Sequence, residues 1–74
     1  MKHTVLIVDD SADYRRIFSR ILAAGGFRVL TAGSAEEARL LLATTPPDAA
    51  LLDWNLPGDS GIDLAREIRR DPRL

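Results

Sequence analysis

The sequence predicts an α/β domain built on a parallel sheet, with elements in the order βαβαβα. Three observations predict it. Short apolar runs of strand length begin near residues 5, 28 and 49, an interval that fits one strand, one helix and two short loops. Between the first two runs, Tyr14, Ile17, Phe18, Ile21 and Leu22 recur with the spacing of one helical face. Cap and breaker residues stand at each junction.

Thr4-Val5-Leu6-Ile7-Val8 is continuously aliphatic after its first residue, as a strand buried on both faces requires, and it stops at Asp9-Asp10. Ser11 is the candidate N-cap of the first helix, Asp13 lies in its first turn, and Gly25-Gly26 ends it. Tyr14 and Phe18 on that helix, and Phe27 beyond it, read as core. Phe27 to Ala32 reads as a second strand, and Arg28 within it suggests an edge. Gly33 breaks the run, and Ser34-Ala35-Glu36-Glu37 is a capping box. The second helix extends to about Ala43, where Thr44-Thr45-Pro46-Pro47 closes it. Ala49 to Leu52 is the third strand. Ser60 then caps a third helix with Leu64, Ala65 and Ile68 inward and Arg66, Arg69 and Arg70 outward, ended by Asp71-Pro72.

With 74 residues, no cysteine and a formal net charge of −1, the chain reads as one small domain without disulfide or thiolate support, from a reducing cytoplasm. The charge balance argues against direct nucleic-acid binding, and Arg15-Arg16 and Arg69-Arg70 read as solvated helix faces. No apolar run approaches the roughly 20 residues that span a bilayer, and Met1-Lys2-His3-Thr4 opens on no signal-peptide plan. His3 reads as a solvent-facing residue at the strand entrance.

The chemistry gathers at the strand ends. In a parallel sheet the first and third strands finish on one rim. Asp9, Asp10 and Asp53 therefore converge if those strands are neighbours about 4.8 Å apart. Three carboxylates so placed repel, and a cation among them relieves the repulsion. With no cysteine and no histidine nearby, the donor set is all oxygen, which suits Mg²⁺ or Mn²⁺. A solvated acidic rim is the plainer alternative.

Leu6-Ile7-Val8-Asp9-Asp10-Ser11 and the run Leu51-Leu52-Asp53-Trp54-Asn55-Leu56-Pro57-Gly58, followed by Gly61, resemble the receiver domain of bacterial two-component response regulators. The resemblance implies a flavodoxin-like sheet, truncated to three strands in the order 2-1-3. It implies Asp53 as the phosphoacceptor, taking its phosphoryl group from a sensor histidine kinase. Asp10 is then a direct Mg²⁺ ligand, Asp9 acts mainly through metal-bound water, and Asn55 offers its backbone carbonyl. Trp54 would flank the site, and Pro57-Gly58 with Gly61 would let the following loop turn around it. The haloacid dehalogenase signature also uses an aspartyl nucleophile, but it needs a second Asp where this chain has Asn55.

Residues 1–74 correspond to the first three βα units of a five-unit fold. The family's hydroxyl residue after the fourth strand and lysine after the fifth have no counterpart. Lys2, the one lysine, precedes the first strand, about 17 Å from the strand's far end. Phosphotransfer to Asp53 in this chain alone is therefore expected to be slow or undetectable. The third strand becomes an edge without Lys or Pro in its run, which predicts a homo-oligomer through that edge or docking of a missing C-terminal half. The leading expectation is a signalling module and not an enzyme with turnover. The rival is a half-receiver that assembles through its edge with a residual acidic site. A Mg²⁺-dependent hydrolase is disfavoured because the sequence shows no general base or cationic clamp.

Overall fold

The structure, a computed structural model, describes residues 2–53, 55–56 and 59–72, with backbone alone at Asn55, Asp59 and Ser60. The elements are β1 (Thr4–Val8), α1 (Ala12–Ala24), β2 (Arg28–Ala32), α2 (Ala35–Thr44), β3 (Ala49–Leu52), β4 (Asn55–Leu56), β5 (Asp59–Ser60) and α3 (Gly61–Arg70). β1, β2 and β3 form a parallel sheet in the order β2-β1-β3, as the flavodoxin-like reading predicts. β4 and β5 pair antiparallel, Asn55 with Ser60 and Leu56 with Asp59. The sequence reading treats this segment as loop, because two residues per strand are too few to show a period. The expectations for Trp54, Pro57-Gly58 and the Ser60 side chain lie outside the described residues.

The sheet's two faces differ. Leu6, Val8 and Ala32 face α2 and α3, where they join Ala35, Ala38, Leu42, Leu56 and Leu64 in the core. Leu64 is fully buried, while Ala65 and Ile68 are half-buried and Arg66, Arg69 and Arg70 exposed, as predicted. Val5 and Ile7 point to the other face, and both are buried. α1 lies on this side.

α1 corrects the sequence reading. Its boundaries and its Ser11 cap are as expected, the Ser11 hydroxyl accepting from the Tyr14 N–H at 3.3 Å. Its apolar stripe, however, does not enter the core. Tyr14 is 56% exposed, Ile17 50% and Ile21 61%, and Phe18 and Phe27 are also exposed. The half-buried positions are Arg15, Ser19 and Leu22, the arc that meets the sheet. At about 100° per residue, the stripe is centred roughly a quarter turn from that arc. It points along the sheet surface and not into it, and Tyr14 and Phe18 stack on each other with ring centroids 6.2 Å apart.

The junctions follow local chemistry. Gly25 caps α1 and Gly26 adopts φ 92°, the left-handed region where a side chain is strained. Ser34 caps α2 by accepting from the Glu37 N–H at 3.2 Å. Glu37 reaches back to the N–H of Gly33 at 3.0 Å, one residue before the cap, so the capping box closes in a widened form. At the opposite sheet end, Asp48 accepts from the Thr4 N–H at 2.7 Å and lies 3.5 Å from the exposed His3 ring.

Candidate metal centre and phosphoacceptor site

Register brings the acidic residues together. Val8 of β1 pairs with Ala32 on one side and Leu52 on the other. Asp9 and Asp53 are the next residues along neighbouring strands, so they leave the sheet side by side. Their backbones are tied to the strand ends. The Asp53 N–H donates to the Val8 carbonyl at 2.7 Å, and the Asp9 N–H to the Ala32 carbonyl at 3.1 Å. Asp10 follows at the mouth of the β1–α1 turn and is exposed, whereas Asp9 and Asp53 are half-buried.

One carboxylate oxygen from each of Asp9, Asp10 and Asp53 lies within 4.8 Å of the other two. The three carboxylates that the sequence groups thus meet at one rim. Oxygens on opposite sides of an ideal Mg²⁺ octahedron stand about 4.2 Å apart. A spread of up to 4.8 Å is within what a hard cation and its bound water can bridge. The donor set also fits, since the chain has no cysteine and its single histidine sits at the far end of β1. Asp9 is partly committed elsewhere, because its Oδ1 accepts from the Ser11 N–H at 2.9 Å. Asn55 opens β4 two residues after Asp53, so its backbone follows directly from the site.

Among the described residues, two cavities flank Asp53. One of about 230 Å³ is lined by Ile7, Val8, Asp9, Phe18, Leu51, Leu52 and Asp53. The other, of about 190 Å³ on the α3 side, is lined by Leu52, Asp53, Gly61, Ile62 and Ala65. Asp53 thus lines both cavities, whose other lining residues are apolar apart from Asp9.

One residue near the site escapes the sequence reading. Arg15 is not on a solvated face. It is half-buried, and its Nη1 donates to the Asp9 carbonyl oxygen at 2.7 Å. The available signal is its spacing. Ser11, Arg15, Ser19 and Leu22 share one helical arc, and an arginine on the arc that meets the sheet needs a polar partner there. Arg16 does lie in solvent, 3.8 Å from Asp13.

Comparison with known proteins agrees with this geometry. Residues 5–74 match the family model of the response regulator receiver domain. The chain is 44% identical over 68 residues to the phosphate regulon transcriptional regulatory protein PhoB of Pseudomonas aeruginosa, covering 92% of this chain and 30% of that protein. It is 35% identical over 71 residues to the DNA-binding response regulator MtrA of Mycobacterium tuberculosis, covering 96% and 31%. Among solved structures it resembles the response regulator TrrA of Thermotoga maritima in complex with Mg²⁺ and BeF (TM-score 0.90, 34% identity, 99% of this chain and 63% of that one). A response regulator receiver protein from Methanoculleus marisnigri is similar too (TM-score 0.88, 40% identity, 95% and 57%). The chain spans about a third of the length of these curated relatives. A parallel β2-β1-β3 sheet, an acidic doublet after β1 and an aspartate after β3, matched by a family model over nearly every residue, make this chain a member of the response regulator receiver domain family.

Proposed function

We propose that residues 1–74 are the N-terminal, phosphoacceptor-bearing portion of a receiver domain acting in cytoplasmic two-component signal transduction, with Asp53 as the acceptor. The observation that carries this reading is the meeting of Asp9, Asp10 and Asp53 within 4.8 Å at one rim of the sheet. A carboxylate oxygen of Asp53 forms the new P–O bond as the P–N bond of a phosphohistidine on a sensor histidine kinase breaks. The electron pair of that bond stays with the departing imidazole. Asp10 would hold Mg²⁺ or Mn²⁺ directly, Asp9 through water, and Asp53 and the Asn55 carbonyl would complete the protein's share. When bound, the cation would neutralise charge on the phosphoryl oxygens, which lets an anionic nucleophile approach the phosphorus. The backbone bond from Asp53 to Val8 fixes where the nucleophile stands. The role is that of a switch and not of a turnover enzyme.

The test is incubation with acetyl phosphate and Mg²⁺, read by intact mass, with Asp53→Asn as control. A slow, Asp53-dependent phosphoryl adduct is expected. A folded chain giving no adduct and no Mg²⁺-dependent change in tryptophan fluorescence, or an adduct equally abundant in Asp53→Asn, overturns the assignment.

A second reading has an observation of its own. The exposed stripe on α1 and the exposed Leu51 on β3 favour an assembly surface, through a second copy or the remaining units of a receiver. The two surfaces adjoin, since Phe18 of the stripe and Leu51 of the edge line the same cavity as Asp9 and Asp53.

A further inference from the structure

Arg15 reaches the acidic rim without being a ligand. Its Nη1 lies 2.7 Å from the carbonyl oxygen of Asp9, a short charge-assisted hydrogen bond. Gly33, at the start of the β2–α2 turn, makes room for it. A Cβ at residue 33 would stand 3.1 Å from Nη1 and 3.5 Å from Cζ. The guanidinium is thus seated between the end of β1 and a position without a side chain.

We propose that Arg15 is a positioning residue for the divalent-cation site: by holding the Asp9 carbonyl, it sets the plane of the Asp9–Asp10 peptide and so the direction in which Asp10 leaves the chain. This inference rests on the reading of Asp9, Asp10 and Asp53 as a cation site. Asp9 is held at three points. Its N–H donates to Ala32 and its Oδ1 accepts from Ser11, at 3.1 and 2.9 Å. The first fixes the backbone entering residue 9, and the second closes an Asx turn around the Asp9–Asp10 peptide. Among the described residues, Arg15 supplies the side-chain contact from outside that turn, on the carbonyl of the same peptide. Asp10 is exposed, so its carboxylate takes its direction from that backbone.

The sign of one substitution separates positioning from simple charge. Arg15 places a positive charge near three carboxylates, and charge alone would oppose a cation there. Removing it would then tighten cation binding. If Arg15 positions Asp10, removing it loosens binding instead. Mn²⁺ binding to the full chain, followed by the electron paramagnetic resonance of the free ion, reads the difference. Melting of the metal-free chain is recorded separately to report the fold. Arg15→Gln is expected to weaken Mn²⁺ affinity about tenfold, the low end for residues that orient metal ligands. Arg15→Lys keeps the charge and a donor and should recover most of the loss. Gly33→Ala, at a backbone conformation alanine accepts, should weaken binding in the same direction by crowding the guanidinium.

Unchanged or tighter Mn²⁺ binding by Arg15→Gln overturns the inference. Should that variant not fold, Gly33→Ala decides, and an unchanged affinity there overturns it equally. A wild-type chain that binds no Mn²⁺ overturns the parent reading and this inference with it. Wild-type binding that is lost in Asp10→Ala but indifferent to Arg15 overturns this inference alone.

Discussion

Ser11 serves the acidic doublet and α1 through different atoms. Its N–H donates to Asp9 Oδ1 at 2.9 Å, and its hydroxyl accepts from the Tyr14 N–H at 3.3 Å. Ser11→Ala removes only the second contact. It should lower stability by about 1 kcal/mol, the usual cost of a lost N-cap. Thermal melting should show that loss while Mn²⁺ affinity stays put; a collapse of affinity would show that the hydroxyl itself orders the rim. Asp10→Ala is the converse case. The residue is exposed, so its loss should cost the metal-free chain little. A cation that binds only the folded state raises the melting midpoint, and Asp10→Ala should abolish the Mg²⁺-dependent rise. A rise that survives the substitution would place the cation elsewhere.

Helix phase decides what the sequence discloses about each element. The meeting of Asp9, Asp10 and Asp53 is legible because parallel strands end on one rim, and strand ends are marked by where apolar runs stop. α2 and α3 are legible because each packs on the sheet through its most apolar face, Ala35, Ala38 and Leu42 in one and Leu64 and Ile68 in the other. α1 is not. Its strongest apolar stripe runs along the sheet surface, while Arg15, Ser19 and Leu22 meet the sheet. A stripe reveals that some partner is apolar, and not which one. That is why Tyr14 and Phe18 read as core and Arg15 as solvated. Small residues matter on α2 for a related reason. Ala38 is fully buried against the sheet, so Ala38→Leu overpacks it and should cost about 1–3 kcal/mol in denaturant unfolding. The paired Arg39–Glu67 contact between α2 and α3, at 2.8 and 2.9 Å, lies half in solvent. Glu67→Gln should therefore cost no more than about 1 kcal/mol, and a larger loss would mean the pair anchors α3.

At the scale of the whole molecule, the two sheet faces are unequally covered. α2 and α3 close one face. On the other, α1 sits over β1 and β2 and leaves Leu51 of β3 47% exposed beside the cavity that Phe18 also lines. β3 is also an edge, with no strand on its outer side among the described residues. An apolar trough next to an open edge is suited to one strand followed by one helix, the strand extending the sheet and the helix lying against the α1 stripe. A second copy paired edge to edge by two-fold symmetry supplies the strand. Its α1, however, would stand over strands two and three places from the symmetry axis, too far to fill the trough, since packed helices lie about 8–10 Å apart. Such a dimer buries the edge and leaves the stripe open, so association through the edge should be weak and concentration-dependent. Light scattering coupled to size exclusion should give a mass above the monomer that falls on dilution. Leu51→Lys, which charges the edge, should return the chain to monomer; because Leu51 also lines the cavity that Asp9 and Asp53 border, the added charge should weaken Mn²⁺ affinity as well. Ile17→Lys, on the part of the stripe an edge pair leaves open, should have less effect on the mass. A well-folded wild-type monomer at micromolar concentration would remove the edge from consideration, and an Ile17→Lys effect as large as that of Leu51→Lys would put the helix stripe at the centre of the contact.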